Sequence, residues 1–110
     1  MNDSGTAIDS QLAGMDRLQG PALLEFGTLW CGHCLRAQPL VSEAMCRHPG
    51  LQHIKVEDGP GRRLGRSFAV KLWPTLIALH DGVEVGRVVR PQDVAEIENL
   101  LRLIDPPACA

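Results

Sequence analysis

The order of the predicted elements indicates an α/β domain, in which a central mixed β-sheet carries helices on both faces. The first part alternates helix and strand, and two further strands are joined through Asp81-Gly82, a dipeptide that accepts positive φ and favours a hairpin. An apolar stripe then predicts a closing helix. Because 110 residues suffice for one core, we predict a single domain over 1–110, with loose termini at 1–9 and 105–110.

Apolar periodicity and turn residues place the individual elements. Helices are predicted where apolar side chains recur every three or four residues. Strands are predicted where short apolar or alternating runs end at Gly, Pro or Asp. The predicted helices are Ser10–Leu18, Cys31–Arg47, Arg62–Phe68 and Gln92–Ile104, and the predicted strands are Ala22–Phe26, Leu51–Val56, Thr75–Leu79 and Val83–Val89.

Composition and charge argue against several classes of function. The chain is 45% hydrophobic and 22% charged, as a globular domain is, and its net charge of −2 with scattered Lys and Arg offers no basic face for nucleic acid. No segment approaches the ~20 apolar residues of a membrane span, and the polar start of the chain lacks the pattern of a secretory signal. We therefore expect a cytoplasmic monomer that binds neither nucleic acid nor a membrane.

The motif Trp30-Cys31-Gly32-His33-Cys34 directly follows a predicted strand and opens a predicted helix. Residues three apart share a helix face, so the two sulfurs can reach each other. Cys31 lies at the helix N-terminus, where unpaired N–H groups and the macrodipole stabilise a thiolate, whereas Cys34 is less exposed and suits a resolving thiol. Gly32 lets a substrate backbone approach, and a protonated His33 would stabilise the reduced pair.

This motif, together with Trp73-Pro74-Thr75 at the start of a later strand, resembles the thioredoxin superfamily, and its Gly-His filling is typical of protein disulfide isomerase domains. The resemblance extends over about 22–104. It implies the thioredoxin fold and a thiol–disulfide oxidoreductase that works through Cys31 and Cys34. The implied partners are a substrate protein with a disulfide or thiols and an electron-donating reductase or small thiol, and no cofactor is implied.

The resemblance also assigns a buried acid and a lysine. Glu25, six residues before Cys31, matches the acid that the family carries beneath its active site. Because Glu25 lies in an apolar run, we expect desolvation to raise its pKa and to fit it for proton exchange with Cys34. Lys55 matches the lysine that accompanies this acid and is assigned to redox tuning, together with Gly32 and His33.

Three further residues are assigned to substrate binding by the resemblance. Pro74 matches the cis-proline that faces the cysteine pair, and the backbone before it pairs with a bound substrate strand in the family. Trp73 would therefore line a groove, with Trp30 beside it.

The chain departs from the family pattern at three positions. Gly27 stands where most relatives have an aromatic residue, so we expect looser packing near Trp30. Arg90 replaces a glycine beside the groove, and Trp73 is larger than the usual aliphatic residue before the proline. These departures leave the redox chemistry intact and indicate a specialised relative.

Plainer interpretations of the candidate residues stay open. Glu25 could be an edge-strand acid, Lys55 a solvated strand residue and Trp73 a core residue. No metal site is predicted, because zinc normally needs four ligands and the sequence has no second CxxC. Cys46 is expected to be packed or half-buried, Cys109 to lie in the loose tail, and three histidines to be surface residues, namely His48, His53 and His80.

Two alternative functions also stay open. The Gly-His filling favours a less reducing pair, which suits a disulfide isomerase or oxidase. The other alternative is a non-enzymatic module that binds a partner in the groove and whose cysteines are vestigial.

Overall fold

A computed structural model of the chain describes residues 19–28, 30–60 and 62–105. The predicted helix Ser10–Leu18 and Cys109 lie outside these residues. The other seven predicted elements are confirmed in type and order, with ends that differ by at most three residues. The strands are β1 (Pro21–Gly27), β2 (Gln52–Glu57), β3 (Thr75–His80) and β4 (Val83–Val89), and the helices are α1 (Gly32–Cys46), α2 (Arg63–Ser67) and α3 (Val94–Leu101).

The four strands form one mixed sheet in the order β2-β1-β3-β4. β1 runs parallel to β2 and antiparallel to β3, and β4 is antiparallel to β3. The predicted hairpin is confirmed, since Asp81 and Gly82 have φ of 53° and 80°, the positive values that a two-residue turn of this hand requires. The sheet is thus the mixed sheet that the order of elements predicts.

Alternation along β1 builds a core on each face of the sheet. Leu23 packs with α1 and α3, whereas Leu24 and Phe26 pack on the opposite face with α2. The first cluster is completed by Val41, Ala44, Leu51, Leu76, Ala78, Ile97, Leu100, Leu101 and Ile104, and the second by Ala22, Val56, Leu64, Ile77 and Leu79. Helices therefore cover both faces, which confirms the predicted fold class.

The same alternation places an acid beneath α1. Glu25 is two residues from Leu23 and so belongs to the face that α1 covers. In the parallel register, Leu23 pairs with His53 and Glu25 pairs with Lys55, which brings both basic side chains of β2 to this face. Glu25 and His53 contact each other under the first half of α1, and Lys55 lies on the same face of the sheet.

A buried histidine joins the end of α1 to α3, contrary to the predicted surface position. The His48 side chain is 1% exposed, with Nδ1 2.8 Å from Asp105 Oδ2 and Nε2 3.0 Å from Glu98 Oε2. His48 follows the last turn of α1, where the chain turns back over α3. The ring is therefore enclosed, although its position in the sequence is at the end of an element. Asp105, predicted to begin the loose tail, is held by this bond.

The predictions for His80 and Cys46 have different outcomes. His80 is exposed, as expected. Cys46 is exposed rather than half-buried, because the buried positions of α1 recur at helical spacing through Val41 and Ala44 and leave Cys46 on the outer face. Within residues 19–105, as far as the structure describes them, no helix is long and apolar enough to cross a membrane.

Candidate active site

Cys31 and Cys34 lie one turn apart at the start of α1. Cys31 is the N-cap residue, with φ −77° and ψ 122°, and its Sγ accepts a hydrogen bond from the Cys34 N–H at 3.4 Å. Both cysteines are free thiols, and they are 8% and 5% exposed. The N-cap bond satisfies a backbone donor that has no partner within the helix, and it is strongest when the sulfur is a thiolate.

The two thiols have pKa values shifted in opposite directions. Burial disfavours the Cys31 thiolate, but hydrogen bonds from the Cys34 backbone and thiol, the His33 backbone N–H and the Arg90 charge outweigh it, so the Cys31 pKa is lowered. Burial raises the pKa of Cys34 to about 11, against a hydrogen bond from the Thr28 backbone. Cys31 is therefore the more readily ionised thiol of the pair, and Cys34 stays protonated near neutral pH.

The positive charge near Cys31 comes from Arg90 and not from a protonated His33. The Arg90 charge, with a lesser contribution from Arg36, lowers the pKa of the exposed His33 ring. His33 Nδ1 lies 3.2 Å from Arg36 Nη2, a contact that also favours the neutral ring. The expectation of a protonated His33 is corrected, because two permanent cations already surround the ring.

Glu25 is held by three polar side chains under α1. Its Oε1 lies 2.7 Å from His53 Nε2, and its Oε2 accepts a hydrogen bond from Gln38 Nε2 at 2.6 Å. Gln38 Oε1 in turn accepts a hydrogen bond from Lys55 Nζ at 3.2 Å. Lys55 therefore reaches the carboxylate through Gln38 rather than directly.

This arrangement shifts the pKa of Glu25 in the direction opposite to the expected one. Burial alone would raise the pKa, but hydrogen bonds from His53 and Gln38 and the nearby charges of His53 and Lys55 lower it. Glu25 is therefore an anion at neutral pH. Sequence reasoning placed His53 on the surface and missed Gln38. The strand register, which pairs Leu23 with His53, would have placed the histidine on the same face as Glu25. The i, i+4 spacing from Cys34 would have placed Gln38 on the same face of the helix as that cysteine.

A cavity of about 370 Å³ connects Cys34 with Glu25. It is large enough to admit several water molecules, each of which takes up ~30 Å³ in the liquid. Proton transfer between the two groups therefore has a physical route. The cavity is lined by Glu25, Gly27, Thr28, Cys34, Leu35, Gln38, Lys55, Val56 and Glu57.

Gly27 leaves room for the sulfur of Cys34. A Cβ atom at Gly27 would lie 2.6 Å from Cys34 Sγ, closer than two such atoms can approach. The space beside the Gly27 backbone is therefore filled by Cys34, and the looser packing expected near Trp30 stays a prediction.

Replacing Gly27 by Ala is expected to lower the free energy of unfolding by about 1–3 kcal/mol, because the new methyl group overpacks a buried sulfur. Urea denaturation of the reduced protein measures the change. Gly50→Ala is the matched control, since a Cβ there meets nothing within 4 Å. Equal stability of the two variants would contradict the predicted clash.

The substrate-binding candidates form an aromatic edge beside Cys31. The Trp73–Pro74 peptide is cis, as the resemblance implies. The ring of Trp30, which is 74% exposed, meets that of Trp73 edge to face, with centroids 5.6 Å apart. Trp73 is half-buried, and its Nε1–H donates to Asp58 Oδ2 at 2.9 Å. Among the described residues, no group of three His, Cys, Asp or Glu side chains could hold a metal ion.

Comparison with known proteins identifies the family. The thioredoxin family matches residues 8–103 of the chain. Thioredoxin of Chlamydia trachomatis serovar D is 32% identical over 85 residues, which cover 77% of this chain and 80% of that protein. Protein disulfide-isomerase A3 of Gallus gallus is 31% identical over 97 residues, which cover 87% of this chain but 19% of that protein.

Solved structures show the same relationship. The reduced form of thioredoxin 2 from Pseudomonas aeruginosa PAO1 is 58% identical, covers 83% of this chain and 84% of its own, and has a TM-score of 0.75. The sheet, the cysteine pair at the start of α1 and these matches agree. The chain belongs to the thioredoxin family of thiol–disulfide oxidoreductases.

Proposed function

We propose that this protein reduces disulfides in substrate proteins, with Cys31 as the nucleophile and Cys34 as the resolving thiol. The observation that carries the proposal is the opposite pKa shift of two thiols one helical turn apart, lowered at Cys31 and raised at Cys34. One thiol attacks readily, while the other keeps its proton until the first has reacted.

In the first step, the Cys31 thiolate attacks one sulfur of the substrate disulfide. A bond forms between Cys31 Sγ and that sulfur, the substrate S–S bond breaks, and the departing thiolate takes a proton from solvent. The substrate strand lies along Trp73-Pro74, beside the exposed ring of Trp30.

In the second step, Cys34 loses its proton to Glu25 through the cavity and attacks Cys31 Sγ. The Cys31–Cys34 disulfide forms, the mixed disulfide breaks, and the substrate leaves with two electrons more than it brought. His53, whose side chain is 21% exposed, offers the proton a route from the 6% exposed Glu25 to solvent. A partner reductase or a small thiol then returns two electrons to the cysteine pair.

Isomerisation or oxidation is the second candidate. A lowered Cys31 pKa stabilises the reduced pair and makes it more oxidising, which suits disulfide exchange. We place this protein in a reducing cytoplasm, where the net transfer of electrons is from the cysteine pair to the substrate disulfide. The relationship to thioredoxins over most of their length also favours reduction.

The redox equilibrium of Cys31 and Cys34 in glutathione buffers tests the proposal. A potential near that of thioredoxin, about −270 mV, supports the reductase, whereas one near that of protein disulfide isomerase, about −180 mV, favours exchange or oxidation. Cys31→Ser and Cys34→Ser should each abolish formation of the Cys31–Cys34 disulfide. Absence of any transition in the unmodified protein would reject the enzyme and favour the partner-binding module.

A further inference from the structure

Arg90 lies at the Trp73–Pro74 peptide in an unusual backbone conformation. Its φ is 50°, in the left-handed region that favours glycine, and its N–H donates to the Pro74 carbonyl at 2.9 Å. Its side-chain Nε donates to the Trp73 carbonyl, also at 2.9 Å. The backbone bond fixes the main chain of residue 90, and the Nε bond holds the guanidinium beside the groove without using its terminal nitrogens.

The surroundings of this guanidinium are cationic and apolar. The Arg90 charge is the main cause of the lowered His33 pKa, so it lies near the first turn of α1. That turn contains no acidic residue, and Arg36 adds a second cation to it. Among residues 19–28, 30–60 and 62–105, no carboxylate forms an ion pair with Arg90. Asp58, which contacts the groove residue Trp73, accepts a hydrogen bond from the indole of that residue.

A substrate strand that enters the groove therefore meets a guanidinium that forms no ion pair with any carboxylate of the described residues. We propose that Arg90 is a specificity-determining residue, which favours disulfides with a carboxylate side chain next to the attacked sulfur. This inference rests on the proposed function and names its preferred substrate class. The partner is an acidic peptide segment, which the charge complementarity selects.

The chemistry of the guanidinium supports this preference. Its planar fork matches a carboxylate, and the Nε anchor on Trp73 pre-orients it, so little side-chain freedom is lost when the pair forms. A lysine flanking the substrate cysteine would instead be repelled by Arg90 and Arg36. Because the pair forms at an open rim, its effect is modest and falls as salt is added.

The test compares two peptides of identical sequence, in which the residues flanking one cysteine are both Glu or both Lys. Each cysteine is activated as a mixed disulfide with 2-thiopyridine, so attack by Cys31 on the peptide sulfur releases the same leaving group. The second-order rate constant is measured in a single turnover. We expect the Glu peptide to react about fivefold faster at low salt.

Arg90→Gly removes the charge and suits the positive φ, so the variant keeps its fold. It should lower the Glu-to-Lys rate ratio to the smaller value that Arg36 alone supports, whereas Arg90→Lys should restore part of the difference. A general loss of Cys31 reactivity would slow both peptides equally and leave the ratio unchanged. Arg47→Gln is the matched control, because Arg47 pairs with Glu43 beyond the far end of α1.

An unchanged ratio in Arg90→Gly, or a ratio of one in the unmodified protein, overturns the inference. If neither peptide reacts with the unmodified protein, the proposed function itself fails, so the two failures are distinguishable.

Discussion

Replacing Glu25 by Gln is expected to slow the resolving step about a hundredfold at pH 7, within the range for loss of a general base. Cys34, with a pKa of about 11, is almost fully protonated at that pH, so it needs an acceptor for its proton. Glu25 is ionised, lines the same cavity and has no competing proton at neutral pH. The amide of the variant keeps the shape of the side chain, but it accepts through one oxygen instead of two and cannot take the proton.

A second effect of the variant acts in the opposite direction. The negative charge of Glu25 helps to raise the Cys34 pKa, so removing that charge lowers the pKa and makes the Cys34 thiolate easier to form. Burial is the largest cause of that raised pKa and the Glu25 charge is the smallest, so most of the shift remains in the variant. Loss of the base therefore outweighs the gain, and the net result is a slower step.

The release of a leaving peptide from the preformed Cys31 mixed disulfide measures the resolving step. The deficit of Glu25→Gln should shrink as pH rises toward the Cys34 pKa, because hydroxide then removes the proton. Alkylation of Cys31 should change far less, since Glu25 is not among the groups that lower its pKa. Glu57→Gln is the matched control, because Glu57 lines the same cavity but is 56% exposed. Equal release rates in both variants would remove Glu25 from the mechanism.

The fold could be predicted because each element has a local signal. Asp81-Gly82 predicts the hairpin. Asp93 and Glu96 form a capping box at the start of α3, whose apolar stripe begins directly after Asp93. The lowered pKa of Cys31 could be predicted for the same reason, since a cysteine at a helix N-terminus depends on neighbours within one turn. Local sequence pattern was therefore sufficient to predict the element order and the direction of the Cys31 pKa shift, and the roles of Cys31 and Cys34 in exchange stay predictions.

The electrostatics could not be predicted, because they depend on residues that are distant in sequence. Glu25 was expected to have a raised pKa from its apolar neighbours, but His53 and Gln38 reach it from another strand and from α1. Likewise, the charge beside Cys31 comes from Arg90, at the end of β4, rather than from the adjacent His33. The size and sign of such pKa shifts depend on strand register and helix packing. The pattern of a single sequence does not determine either of these.

Replacing His48 by Phe is expected to lower the free energy of unfolding by about 3 kcal/mol at pH 6, because it leaves the buried carboxylate of Glu98 without its partner. Both ring nitrogens of His48 face carboxylate oxygens, and only the imidazolium can donate to both. Burial alone would lower the His48 pKa, but the hydrogen bonds to Asp105 and Glu98 raise it above 6.5.

The raised pKa fixes the sign of the pH dependence. The folded state binds this proton more tightly than the unfolded state, so the stabilisation is complete below the unfolded pKa of 6.5 and is lost as pH rises through the higher folded pKa. The stability difference between the unmodified protein and His48→Phe should therefore shrink over the range from pH 6.5 upward.

Urea denaturation across that range measures this trend, and Glu98→Gln should flatten it by weakening the proton affinity of His48. His80→Gln, at an exposed histidine, should change stability by less than about 0.5 kcal/mol and serves as the control. A difference that grows with pH would mean that the ring is neutral in the folded protein. In that case, the buried link between the end of α1 and α3 would be a simple hydrogen bond rather than an ion pair.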